Sequence, residues 1–338
     1  AVAIPPLEEQ HRIVSKVDKL MSLCDQLEQK SEASLAAHQT LVETLLATLT
    51  ESADSGELAQ NWARLAQHFD SLFTTQSSID ALKQTILQLA VMGKLVPQDP
   101  NDEPASVLLE RIAAEKARLI KEGKIKKEKP LPPISEEEKP FALPDGWEWK
   151  RLTDVFNVIV DCPHSTPKFV ESGYLSIDTN SFKQGELVFE KFRYVSEETY
   201  HDRNKRLIPQ SGDIVFAREG SVGESVVIPS GIECCLGQRV MLFRPSAHLN
   251  PFFLRLTISS SGALNTLLSL HKGIGAKHVN VSDMKNYVVA VPPHSEQKRV
   301  IVKVDELMSL CDQLSARLQA NQTTQLHLAE ALVEGALN

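Results

Sequence analysis

Four short stretches concentrate the residue types that grip a polyanion or read a base edge. They are Cys162-Pro-His-Ser-Thr-Pro-Lys168, Arg203-Asn-Lys-Arg206, Arg218-Glu-Gly-Ser-Val-Gly223 and Ser269-Leu-His-Lys-Gly-Ile-Gly-Ala-Lys-His-Val-Asn280. Arg and Lys hold phosphates or guanine edges, Asn and Gln read adenine, and Gly lets a backbone approach closely. The candidate contacts are Lys168, Asn180, Lys205, Arg206, Arg218, Gly220, Ser221, Gly223, His271, Lys272, Lys277, His278 and Asn280. Each loop alone is equally a turn or a structural histidine. Arg218 in particular could pair with Glu219 or Glu224 and simply hold its loop.

Covalent chemistry has no such footing. There is no Gly-rich phosphate loop with a following Lys-Ser/Thr, no G-x-S-x-G elbow, no H-E-x-x-H and no C-x-x-C pair. Glu137-Glu138-Lys139 has a nuclease-like Glu-x-Lys spacing, but no Pro-Asp strand precedes it. The reading assigns no catalytic residue, no metal ligand and no cofactor to this chain. Of the five cysteines, Cys24 and Cys311 occupy equivalent positions of the repeat and read as small buried hydrophobes. No apolar run approaches the roughly 20 residues that span a bilayer, and cytoplasm is the default compartment.

Charge sets a condition on the basic loops. The chain carries 36 Lys+Arg against 44 Asp+Glu, a net −8, yet residues 141–291 hold 16 of each. A neutral segment in an acidic chain binds DNA only if its cations cluster on one face.

The elements that must position these loops are organised by a repeat. Pro5–Leu27 recurs as Pro292–Leu314 with 16 of 23 positions identical, and Val2-Ala3-Ile4 matches Val289-Ala290-Val291 upstream. Each copy reads as a strand, a Pro-Pro stop and a long helix. Ile13, Val17, Leu20, Cys24 and Leu27 form a heptad seam, as do Val300, Val304, Leu307, Cys311 and Leu314. The first helix extends to about Leu49, roughly 40 residues or on the order of 60 Å. Pairing the two helices antiparallel is the simplest way to bury both seams. Because the second copy follows a segment of about 150 residues, the size of one domain, a similar segment is expected before the first copy. The chain is then part of a longer protein, or a half-length form that dimerises.

Between the copies the pattern gives helices at Glu57–Phe73, from Ser77 or Ser78 (as cap) to Gly93, and from Pro104 to Gly123. A charged, Pro-rich linker runs from Lys124 to Pro140. Strand-like runs follow at 154–161, 185–192, 213–217, 225–228, 240–244 and 287–291, with short helices at 250–256 and 262–270. The expected division is 1–50 (a last strand plus long helix), 51–140 (helical region and linker), 141–291 (the domain bearing the loops) and 292–338 (the second helix). The class is mixed α/β, a globular domain attached to a long two-helix coiled coil.

Several of these stretches together resemble the specificity subunits of type I restriction-modification enzymes. They are Leu143-Pro-Asp-Gly-Trp-Glu-Trp-Lys-Arg-Leu152, Thr166-Pro-Lys168 with Glu171-Ser-Gly173, and Gly212-Asp-Ile-Val-Phe-Ala-Arg218 with Gly220 and Gly223. His278-Val-Asn280 and Val291-Pro-Pro-His-Ser-Glu-Gln-Lys-Arg299 complete the set. Gln84–Pro104 and Lys124–Pro140 are similar to the shared region of one subclass. The resemblance implies a non-catalytic subunit in which a target-recognition domain reads one half of a split site in double-stranded DNA. It implies methylation subunits carrying S-adenosylmethionine and restriction subunits carrying ATP- and Mg-dependent activities as partners. One full domain and both helical regions are present here. A coiled-coil assembly scaffold, or the recognition half of a fused methyltransferase-nuclease, are the competing readings. The latter lacks its cofactor loop and its Asn-Pro-Pro-type tetrapeptide.

Overall fold

The computed structural model describes residues 4–53, 55–269 and 278–337. Helices come first: α1 (Leu7–Glu51), α2 (Ser55–Gln67), α3 (Phe69–Leu72), α4 (Gln76–Val91) and α5 (Ala105–Lys121). The β-rich part opens with β1 (Glu148–Arg151), α6 (Leu152–Val155), β2 (Phe156–Asp161), β3 (Phe169–Val170) and β4 (Tyr174–Ile177). It continues with β5 (Phe182–Lys183), β6 (Glu186–Leu187), β7 (Arg193–Val195), α7 (Glu197–Arg203), β8 (Ile214–Ala217) and β9 (Ser225–Val227). Then come β10 (Cys234–Leu236), β11 (Val240–Pro245), α8 (Pro251–Ser259), α9 (Ser261–Ser269), α10 (Val281–Asn286), β12 (Val288–Val291) and α11 (His294–Leu337). The mixed α/β class and the long helices agree with the sequence reading. No described helix is long and apolar enough to cross a membrane.

The chain divides into two compact units, residues 1–85 with 311–338, and residues 86–310. In the first, the second half of α1 buries Val42, Leu46 and Leu49, a four-three spacing that places them on one face. Asn61 on α2 donates to the Thr48 carbonyl at 3.3 Å and to Ser52 Oγ at 3.1 Å. His38, a polar seam position, bonds the Leu72 carbonyl at 2.9 Å. The cap of α4 is Thr75 rather than Ser77 or Ser78. Its Oγ1 accepts the Ser78 N–H at 3.1 Å, and Ser78 Oγ accepts the Thr75 N–H at 3.2 Å, a reciprocal box of the capping type. Lys83 pairs with Asp312 at 2.5 Å and Gln76 bonds Ser315 at 3.3 Å, so α4 runs antiparallel to this part of α11.

In the second unit, β12 pairs antiparallel with β1, Glu148 opposite Val291 and Arg151 opposite Val288. The strand of the repeat thus closes the domain that it follows. Two four-stranded sheets, ordered β2-β11-β8-β9 and β10-β4-β7-β3, and the β5-β6 pair build the rest. One core cluster joins α5, α6 and the first sheet through Leu108, Ile112, Phe156, Phe216 and Phe243. Another lies under Ile177, Val215, Leu236 and Leu242.

The two seams differ in their exposure. Ile13, Val17 and Leu20 are each 49 % exposed and Leu27 67 %, and Cys24 is exposed. Val300 and Val304 are buried against Ala90 of α4, Trp147, Phe253 and Leu256. A heptad seam requires an apolar neighbour but does not name it, and α4 with the Trp147 region supplies that surface for the second copy. Leu307 and Leu314 are half-buried and Cys311 is buried.

Two buried charges hold this unit together. Trp147 Nε1 donates to Glu296 in the first turn of α11 at 3.0 Å. Burial raises the Glu296 carboxyl above its ordinary value of 4.5, against the opposing effects of the Trp147 and Gln98 hydrogen bonds and the Arg299 charge. The Arg151 guanidinium pairs with Glu138 at 2.9 and 3.1 Å and donates to the carbonyls of Pro132 at 3.1 Å and Asn286 at 2.6 Å. The Pro-rich segment lacks helix and strand from 124 to 135. It is nevertheless pinned to the domain at this point.

Two outcomes follow from those charges. A raised carboxyl contributes stability that is complete below its unfolded value and lost as pH rises through the folded one. Glu296→Gln, neutral and of the same shape, should therefore raise the melting temperature relative to the parent more at pH 8 than at pH 4. A difference independent of pH would refute the buried-carboxylate account. Arg151→Ala should cost about 2–3 kcal/mol, the range of a hydrogen bond from a charged group. It should also speed protease cleavage within 124–135, as read by denaturant melts and limited proteolysis.

Candidate nucleic-acid interface

Register brings the loops together. In the first sheet Asp161, the last residue of β2, lies opposite Met241, and Ala217, the last of β8, lies opposite Val240. Ser225, the first of β9, lies opposite Phe216. The loops 162–168 and 218–224 therefore leave from one end, where β11 begins. In the second sheet β4 and β10 are parallel, Ile177 opposite Leu236. The Gly237 N–H donates to the Ile177 carbonyl at 2.6 Å, which sets the turns 178–181 and 237–239 side by side. Residues 278–280 reach the same end, since Val279 N–H donates to the Arg218 carbonyl at 3.0 Å and His278 forms a β-bridge with Glu219.

Buried arginines fasten this end. Arg203 at the close of α7 donates to the carbonyls of Leu236 at 2.6 Å, Gly237 at 2.7 Å, Ser165 at 3.0 Å and Pro163 at 3.2 Å. Burial pulls its pKa below the usual arginine value. Arg218 is 8 % exposed. Its Nε donates to the Val279 carbonyl at 3.2 Å, and its guanidinium lies 3.3 Å from Glu219 and 3.5 Å from Asp161. Arg193 pairs with Asp178 and stacks on the Phe169 ring with 3.9 Å to the centroid. Asp178 also accepts the Asn180 N–H at 2.9 Å, which shapes the turn. Thiol chemistry is disfavoured: burial pushes Cys162 and Cys235 up and Cys234 up to about 12, so these three sulfurs stay protonated at neutral pH.

The described residues among those singled out in the sequence separate into three groups. Lys168, Asn180, Gly220 and Ser221 are exposed on the loops and turns at this end. Arg218, Gly223, His278 and Asn280 lie within its frame. Gly223 has φ +98°, and a Cβ there would come within 2.3 Å of Leu264, so this glycine serves packing against α9 and not approach by a ligand. Asn280 caps α10, its N–H returned to Asp283 at 3.3 Å. Lys205 and Arg206 are exposed but belong elsewhere. Lys205 pairs with Asp202 at 2.5 Å, and the chain then leads to Ile208, whose carbonyl bonds Arg244 near the opposite end of β11. His271, Lys272 and Lys277 lie outside the described residues.

The sequence reading missed the turn Gly237-Gln238-Arg239. Gln238 donates to the His164 carbonyl at 3.2 Å, and the Arg239 side chain is 62 % exposed. A glycine, an amide and a cation between the apolar runs Cys234–Leu236 and Val240–Phe243 was the available signal.

The position of Arg218 gives a definite expectation. Arg218→Ala removes the donor that ties 278–280 to the β8 end and leaves Asp161 without that cation. It should cost about 2–3 kcal/mol and speed amide exchange at 219–223 and 279–280. Unchanged exchange there would refute the fastening role.

Comparison with known proteins follows the same lines. Residues 144–321 match the family model described as type I restriction modification DNA specificity domain. The chain is 45 % identical to the type I restriction enzyme EcoAI specificity subunit of Escherichia coli, an alignment covering all of this chain and 58 % of that protein. It is 42 % identical to the EcoEI specificity subunit of the same species, again over all of this chain and 58 % of the relative. The chain thus spans a little over half the length of these relatives. The crystal structure of an HsdS subunit from Thermoanaerobacter tengcongensis is similar at 19 % identity and a TM-score of 0.43, covering 96 % of this chain and 58 % of that one. With the family model matching more than half of its residues, the chain belongs to the type I restriction modification DNA specificity domain family.

Proposed function

We propose that this chain is the sequence-recognising part of a type I restriction-modification complex, its 141–291 domain reading one half of a bipartite site in double-stranded DNA. The observation that carries this reading is the convergence of five backbone segments at one end of the paired sheets. They present Lys168, Asn180, Ser221, His164 and Arg239 from a domain of zero formal charge. Clustering supplies what net charge does not. The chain itself performs no bond chemistry in this reading. S-adenosylmethionine, ATP and Mg belong to methylation and restriction subunits, for which the long helices serve as spacer and docking surface, in the cytoplasm. A second copy of the chain is a further candidate partner, because the apolar seam Ile13–Leu27 of α1 is exposed.

Binding of the purified chain to a set of duplexes at several salt concentrations tests the proposal. Affinity should fall as salt rises, with a log–log slope of about −0.9 per neutralised phosphate. Lys168→Ala should weaken binding to every sequence alike and flatten that slope by about one. Salt-independent association, or self-association without DNA binding, would favour the scaffold reading.

A further inference from the structure

Two described residues other than glycine have a left-handed backbone, Gln184 at φ 52° and Arg239 at φ 63°. Gln184 is explained locally. With Gly185 it makes the two-residue turn between β5 and β6, where Lys183 pairs with Glu186, and tight hairpins require positive φ. Arg239 is not in such a hairpin. It sits where the chain passes from β10 in one sheet to β11 in the other. A glycine would adopt this backbone without strain, so an arginine here is present for its side chain.

The backbone around it is held on several sides. Arg239's carbonyl accepts the Arg218 N–H at 2.9 Å, the Val240 carbonyl accepts the Cys162 N–H at 3.2 Å, and Gly237 is bonded to Ile177. A Cβ at Gly237 would come within 2.6 Å of the Asp178 Cβ, so the turn lies tight against its neighbour. The side chain is much less restrained. Arg151, Arg203 and Arg218 are buried and committed to carbonyls and carboxylates. Arg239 is mostly exposed, with Glu219 at 3.9 Å beside its Nε.

We propose that Arg239 is a specificity-determining residue of this domain, donating both arms of its guanidinium to the O6 and N7 of one guanine in the major groove. The inference rests on the DNA-recognition reading above. Glu219 favours a base over a phosphate, because a carboxylate beside the guanidinium repels a charged phosphate more strongly than a neutral base edge. The carboxylate lies beside Nε of a side chain that is 62 % exposed. Rigid placement at the junction of two sheets is what base reading needs and phosphate contact does not.

The test selects duplexes from a random-sequence pool with the parent chain, then measures parent, Arg239→Lys and Arg239→Gly on the selected sequence. Each selected base pair is substituted in turn. Lys keeps the charge without the planar fork. Both variants should lose discrimination at a single G·C pair by about 5- to 150-fold, the range of a good bidentate contact, with the other positions unchanged. For Lys the salt slope should also be unchanged. Arg239→Gly should melt at or above the parent temperature, since its backbone strain is relieved. Unaltered discrimination at every position overturns the proposal. So does equal weakening on all sequences with a flatter slope, which would make Arg239 a phosphate contact, or a lowered melting temperature for Arg239→Gly, which would make it a structural residue. A parent chain that selects no sequence removes the DNA-recognition reading itself, an outcome distinct from the failure of Arg239 alone.

Discussion

One guanidinium organises the end of the β-rich unit where the loops converge. Arg203 directs donors at four carbonyls, two on the loop after β2 and two at the end of β10, and so joins the margins of two separate sheets. Those carbonyls sit beyond the last ladder bonds of their strands, where a buried oxygen without a donor is costly. An arginine suits the task because its planar fork offers five N–H groups in fixed directions. Without it, the loop at 163–165 would need water or a different path. Arg218 does related work a few residues away, binding the Val279 carbonyl and balancing Asp161 and Glu219. The exposed tips therefore leave from backbone that these buried charges hold.

Much of this was legible in the chain. The apolar runs in Asp213-Ile-Val-Phe-Ala217 and Val240–Arg244 gave strands near their observed places, and glycines at 93 and 123 gave helix ends. Strands β4 and β10 were not legible. Tyr174–Ile177 and Cys234–Leu236 are short, and pairing makes them strands: β10 runs parallel to β4, which also pairs antiparallel with β7. The roles of the basic residues were the least legible. Arg203, Arg218 and Arg239 have the same chemistry in sequence, and what separates them is burial and direction. A run of like residue types marks a surface without telling the frame from the contacts.

The repeat shows the same division between local and tertiary information. Gln10 donates to the Pro5 carbonyl at 2.8 Å, and Gln297 donates to the Pro292 carbonyl at 3.1 Å, so both copies start their helices with one bond. Among the described residues, the second copy carries tertiary partners there, Trp147 on Glu296 and the Asn250 N–H on Gln297. Sequence identity therefore fixed the helix start and its apolar face. The covering surface came from a different part of the chain, α4 and the Trp147 region, which no heptad pattern identifies.

The way the loops are fastened has a consequence for how this domain diverges. Arg203 and the Nε of Arg218 take hold of backbone carbonyls. Every residue carries a carbonyl, so these anchors are blind to which side chains the loops bear. Substitutions at exposed tips such as 164–166, 180, 221 and 239 leave each anchor its acceptor. The tips can carry many combinations of side chains without removing what these buried arginines hold. Innovation at the tips and constancy in the frame are separable because one is written in side chains and the other in the main chain.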